Sequence, residues 1–145
     1  HSPRRGESKP RNPRPQNQRK IRRYRQETYF THLVMNIQNH TDRFKKEPPK
    51  GQLLAISSNL RRLSSLAYNF TPGGDSNNIE AFLAETKAFL VAINDQQIPN
   101  IYHSRFEKFK IEFPKLKDRW PTAKDNKVRL LIWAEKMLTW SNLLD

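Results

Sequence analysis

The sequence predicts an all-α protein, a bundle of four to five helices preceded by a disordered basic N-terminal arm. Three observations carry this. Apolar residues recur at three- and four-residue spacing in five stretches. No stretch keeps period-two alternation with turn chemistry between partners, so essentially no sheet is expected. The first 26 residues hold ten Lys/Arg against one acid, Glu7, for a net charge of +9. With Pro3, Pro10, Pro13 and Pro15 and a run of Asn, Gln and Ser, this arm has too little apolar surface to offset the entropy of ordering. The expected division is an arm over 1–23 and a helical domain over 24–145.

Helix one is expected over about residues 22–45, with Tyr24, Phe30, Leu33, Val34, Ile37 and Phe44 on one face. Pro48, Pro49 and Gly51 then break the chain. Helix two, about 52–69, aligns Leu53, Ile56, Leu60, Leu63, Ala67 and Phe70 as a seam for a partner helix, opposite a small polar face of Ser57, Ser58, Arg61, Arg62, Ser64 and Ser65. Thr71 to Asn78 is the strongest loop signal.

Asn77 and Glu80 read as a capping-box variant opening helix three over about 78–94. Helix four starts near Pro99 and stripes Tyr102, Phe106, Phe109 and Phe113 until Pro114 ends it. Thr122 and Asp125 are expected to cap helix five, about 123–144, whose wide apolar arc marks it as central.

The net charge of +13 is uneven. Residues 27–104 balance at seven of each sign, whereas residues 105–129 hold nine basic residues against four acids. Two basic regions on a small protein point to a polyanion, and phosphate is the commonest one. The candidate contacts in the arm are Arg4, Arg5, Arg11, Arg14, Arg19, Lys20, Arg22, Arg23 and Arg25. In the folded part they are Arg105 and Lys108 on helix four and Lys115, Lys117 and Arg119 in the loop expected to follow it. That loop is expected to hold phosphate near the start of helix five, where the dipole favours an anion. Trp120, followed by Pro121, is the candidate for base stacking, while the helix-four phenylalanines, Trp133 and Trp140 are expected in the core or a subunit contact. Arg61 and Arg62 read equally as a phosphate contact or an ordinary exposed face.

Nothing in the sequence points to catalysis. There is no cysteine, which excludes disulfides, thiolate metal sites and Cys nucleophiles. His1, His32, His40 and His103 lack ligand spacing with one another or with carboxylates. Gly73-Gly74 lacks the Lys-Ser/Thr of a phosphate loop, and no Gly-x-Ser-x-Gly elbow is present. No enzyme activity, metal or cofactor is expected. No apolar run reaches the length of a membrane span and no apolar leader region is present, so no membrane partner is expected. The setting expected is intracellular and cytoplasmic, with an organellar matrix as the alternative. The start at His1 in place of Met suggests processing or a tag remnant.

A basic Pro/Asn/Gln-rich arm followed by a Cys-free helical domain whose second helix reads Leu54-Ala-Ile-Ser-Ser-Asn-Leu-Arg-Arg-Leu-Ser-Ser-Leu-Ala67 resembles the small helical subunit of type III CRISPR effector complexes. The resemblance implies a non-catalytic subunit of antiviral defence, stacked in several copies along a guide RNA and its target. Arg61 and Arg62 are the residues it carries over.

The function expected is therefore a non-catalytic RNA-binding subunit of a ribonucleoprotein complex, with RNA and other protein subunits as partners. An organellar ribosomal protein is another version of it. A double-stranded DNA binder is less favoured, because neither Pro48 to Gly51 nor the 71–78 loop supplies the tight turn of a helix-turn-helix. A self-associating capsid-like or scaffold protein with a genome-binding arm is the third reading.

Overall fold

The computed structural model describes the backbone of residues 15–145 and the side chains of Lys20 and residues 31–145. Among the described residues there are five α-helices and no strand, so the fold is all-α. They are α1 (Pro15–Lys46), α2 (Pro49–Tyr68), α3 (Asn77–Ala92), α4 (Asn100–Ala123) and α5 (Lys127–Leu144), with a short 3-10 turn at Asp95–Gln97. The chain divides into two compact units, residues 1–35 and 36–145.

In the first unit, α1 starts at Pro15, not near residue 22. Proline is at home in a first helical turn, and the Gln, Arg and Lys that follow are good helix formers. Residues 15–23, assigned above to the arm, are thus helical. Arg4, Arg5, Arg11 and Arg14 lie outside the described residues, as do the side chains of Arg19, Arg22, Arg23 and Arg25. Lys20 is exposed.

The second unit is the helical core. The seam of α2 (Leu53, Ile56, Leu60, Leu63, Ala67) is fully buried and packs chiefly along α5, with α3 and α4 completing the unit. Phe44, on the last turn of α1, stacks on Phe89 of α3 with ring centroids 4.3 Å apart, and Gln52 donates to the Phe44 carbonyl at 3.1 Å. Ser57 and Ser64 are buried, so only part of the serine face of α2 meets solvent. Ser57 sits against Ser141 of α5, where two small residues let the helix backbones approach closely.

The largest departure from the sequence reading is α4, which continues without a break through Pro114 and Pro121 to Ala123. An interior proline costs a helix about 3 kcal/mol. Here the stripe begun by Tyr102, Phe106, Phe109 and Phe113 continues through Leu116, Trp120 and Ala123, all buried. Burying Leu116 and Trp120 returns about 1.5–3 kcal/mol each, a sum of the same order as the cost of the two prolines, and both side chains reach the core along the continued helix. Consequently α5 starts later than expected. Asn126 is its cap, its side chain accepting the Arg129 N–H at 3.1 Å, and Thr122 with Asp125 is not.

At α3 the cap is also one residue off. Ser76 is the N-cap residue and its hydroxyl meets Glu80 at 3.0 Å, while Asp75 accepts the Asn77 N–H at 2.8 Å. The preceding loop turns at Gly73, whose φ of 88° is left-handed and suits only glycine without strain.

Candidate nucleic-acid interface

On α4 the buried stripe has a flank on each side, and the cations divide between them. Arg105, Lys108, Glu112, Lys115 and Arg119 follow one another at three- and four-residue steps, each just before a core residue. Lys110, Lys117 and Lys124 occupy the opposite flank. The structure therefore separates Lys117 from Lys115 and Arg119.

The first flank borders α5. Arg105 donates to the Leu143 carbonyl at 3.4 Å. Fourteen residues further along, Arg119 shares a groove with Arg129, Ile132 and Lys136 of α5. Six cations thus line the α4–α5 face: Arg105, Lys108, Lys115 and Arg119 from one helix, Arg129 and Lys136 from the other. All six are exposed. The acid on the α4 stripe, Glu112, lies 3.7 Å from Lys115. At 1.5 Å per residue the row from Arg105 to Arg119 extends about 21 Å, long enough to follow several phosphates of one strand.

Arg129 and Lys136 were not singled out above. Their signal is there, seven residues apart on one helix face, but hidden among apolar neighbours.

The opposite flank is electrostatically quieter. Lys110 pairs with Asp95 and with Glu107 at 2.8 Å. These two bonds, Asp95 first, raise its pKa above 10.5. Lys110 is thereby committed to its own acids.

Two expectations are corrected. Lys115, Lys117 and Arg119 stand on a helix, not in a loop at the start of α5, so that helix N-terminus is not what gathers them. Trp120 is 2% exposed. It is wedged between Phe70, at 5.3 Å in an edge-on contact, and Trp133, at 4.8 Å, and offers no ring for a base. Arg61 and Arg62 are both exposed and have different neighbours: Arg61 approaches Asp145 at 3.5 Å, whereas Arg62 lies over the Phe82 ring at 5.6 Å.

One cluster was not visible in the sequence. Glu85 on α3 is buried, and its carboxylate meets the His40 ring from α1 and accepts from the Asn59 amide of α2 at 3.0 Å. The arrangement ties three helices around one acid. His103, by contrast, meets the Ile98 carbonyl just ahead of its own helix at 2.6 Å. Among the described residues, no three His, Asp or Glu side chains are placed to share a metal, and no helix is long and apolar enough to cross a membrane.

No protein-family model, curated protein or solved structure matches the chain.

Proposed function

We propose that this chain is a non-catalytic nucleic-acid-binding subunit, with RNA as the nucleic acid it serves, gripping phosphate backbone through the α4–α5 face. The observation that carries the reading is the six-cation face, with Glu112 as the acid on its α4 stripe. Cations spaced along two adjacent helices neutralise a chain of phosphates without reading sequence. The arm adds a second supply of Arg and Lys, ten in the first 26 residues.

The narrower reading as a small subunit of a type III CRISPR effector relies on Arg61 and Arg62. Their separate environments give that version no shared phosphate clamp, and the α4–α5 face does not depend on it. Membership of a larger ribonucleoprotein complex suits a domain with no catalytic constellation and a long basic arm.

The test is a binding titration of the full chain on single-stranded RNA, RNA duplex and DNA duplex at two salt concentrations. Binding to RNA that weakens steeply with salt is the expected result. Clear preference for duplex DNA, or no binding to any of the three, overturns the reading.

A further inference from the structure

The α4–α5 face is not uniformly charged: at one end it carries an apolar groove. Leu116, Ala123 and Trp133, all buried, underlie it, and Ile132, half of whose surface is exposed, forms a wall. Arg119, Arg129 and Lys136 stand around the rim, and no carboxylate is among the lining residues. The volume is about 250 Å³. Sites that enclose a whole drug-sized ligand run to roughly 300–1,000 Å³, so this groove holds one flat ring system and not a nucleotide with its sugar and phosphate.

We infer that this groove takes a single unstacked base of a single-stranded nucleic acid, with the phosphates on either side of that base held by Arg119, Arg129 and Lys136. The inference rests on the nucleic-acid reading above and specifies which form is bound. Apolar walls accept a base because every base has a face that prefers to leave water, and guanidinium groups at the rim supply further planes against which it stacks. A duplex reaches the rim cations with its phosphates but keeps its bases inside. The groove therefore discriminates single strands from duplexes by a term that charge alone does not provide. A protein helix as occupant is disfavoured by the shape of the surface: the apolar pit has room for one group, and from there the cations continue along α4 through Lys115 to Arg105.

The experiment compares three probes of equal phosphate number on the full chain: single-stranded RNA, the same backbone with abasic sites throughout, and an RNA duplex. The base-bearing single strand is expected to bind about tenfold more tightly than the abasic strand, the scale of one stacked base. Ile132→Ser, at an exposed position, is expected to bring that ratio below about twofold while leaving abasic binding unchanged, since it removes the wall and no charge. Lys108→Gln, on the α4 row away from the groove, is expected to weaken both strands alike and keep the ratio. Equal binding of base-bearing and abasic strands, or a ratio untouched by Ile132→Ser, overturns the groove while the backbone reading stands. No binding of any probe overturns the backbone reading itself. A synthetic acidic helical peptide that binds and is lost with Ile132→Ser, where the base-bearing strand shows no advantage, reassigns the groove to a protein. The wild-type comparison decides the matter even if a variant loses its helical circular dichroism.

Discussion

Ser57 of α2 and Ser141 of α5 are reciprocal hydrogen-bond partners: each hydroxyl donates to the other's carbonyl, at 2.8 and 2.9 Å, with the two oxygens 3.2 Å apart. Both residues are buried at the main helix contact of the protein. Replacing either by Ala is expected to cost about 1 kcal/mol in urea-unfolding free energy, the net worth of one such bond. The double variant should depart from additivity by about 0.5 kcal/mol or more, because the two hydroxyls also meet each other. Ser57→Leu should cost more than Ser57→Ala, by roughly 1–3 kcal/mol of overpacking, since the gap between the helices has no room for a branched chain. Strict additivity would show that the pair is not a unit.

The two buried tryptophans differ by one bond. Trp133 donates its indole N–H to the Leu116 carbonyl at 2.7 Å, whereas the Trp120 N–H is buried with no partner among the described residues. Trp133→Phe loses both volume and a satisfied donor, and is expected to destabilise by about 1–3 kcal/mol more than Trp120→Phe, which removes an orphaned donor along with its ring. Chemical unfolding of the two variants side by side measures this. Trp120→Phe is also expected to leave RNA affinity unchanged, as its ring is enclosed.

Lys110 supplies a pH dependence. Its pKa is raised by Asp95 and then Glu107, so its charged form is favoured by folding. The contribution is complete below the ordinary lysine value of 10.5 and is lost as pH rises through the higher folded value. A partly exposed pair of this kind is worth about 0–1 kcal/mol. Lys110→Gln should therefore lower stability slightly at neutral pH and flatten the alkaline end of the stability curve, as followed by thermal melts between pH 8 and 11 on the scale of lysine titration. An unchanged alkaline limb would show that the pairs do not form in solution.

For the proposed interface the informative quantity is the salt slope. Each cation that neutralises a phosphate on a single strand adds about 0.7 to the slope of log affinity against log salt. Substituting Arg105, Lys115, Arg119 and Lys136 together by Gln should reduce the slope by about 2–3, read by fluorescence anisotropy. The same four changes on Lys110, Lys117, Lys87 and Lys124 should change it less. Equal effects from the two sets would remove the preference for the α4–α5 face.

Much of the fold was legible because its helices are amphipathic. The α2 seam from Leu53 to Ala67 and the start of the α4 stripe are spaced as buried faces must be, and loops with Pro or Gly separate them. What misled the reading was Pro114. Its lack of an N–H argues locally for a stop, but the decision lies with Leu116, Trp120 and Ala123 beyond it, which have somewhere to be buried only if the helix continues. That one error moved Lys115, Lys117 and Arg119 into a loop and exposed Trp120 on paper. The contact of His40 with Glu85, 45 residues apart, leaves no periodic trace, because a pair between helices is set by tertiary packing and not by spacing along one of them. Arg129 and Lys136 were readable in principle, as two cations seven residues apart on one face of a helix.

Pro114 and Pro121, which α4 carries in its interior, stand on the flank of Lys110 and Lys117, away from the row of Arg105, Lys108, Lys115 and Arg119. A proline ring pushes aside the carbonyl one turn earlier and so opens a helix on its own side. Two of them, seven residues apart on the same flank, are placed to bend the rod in the same direction. The expected consequence is curvature: the row from Arg105 to Arg119 lies on the inside of the arc, its charges drawn toward a common centre, and α4 becomes a shallow cradle instead of a straight rail for a flexible strand.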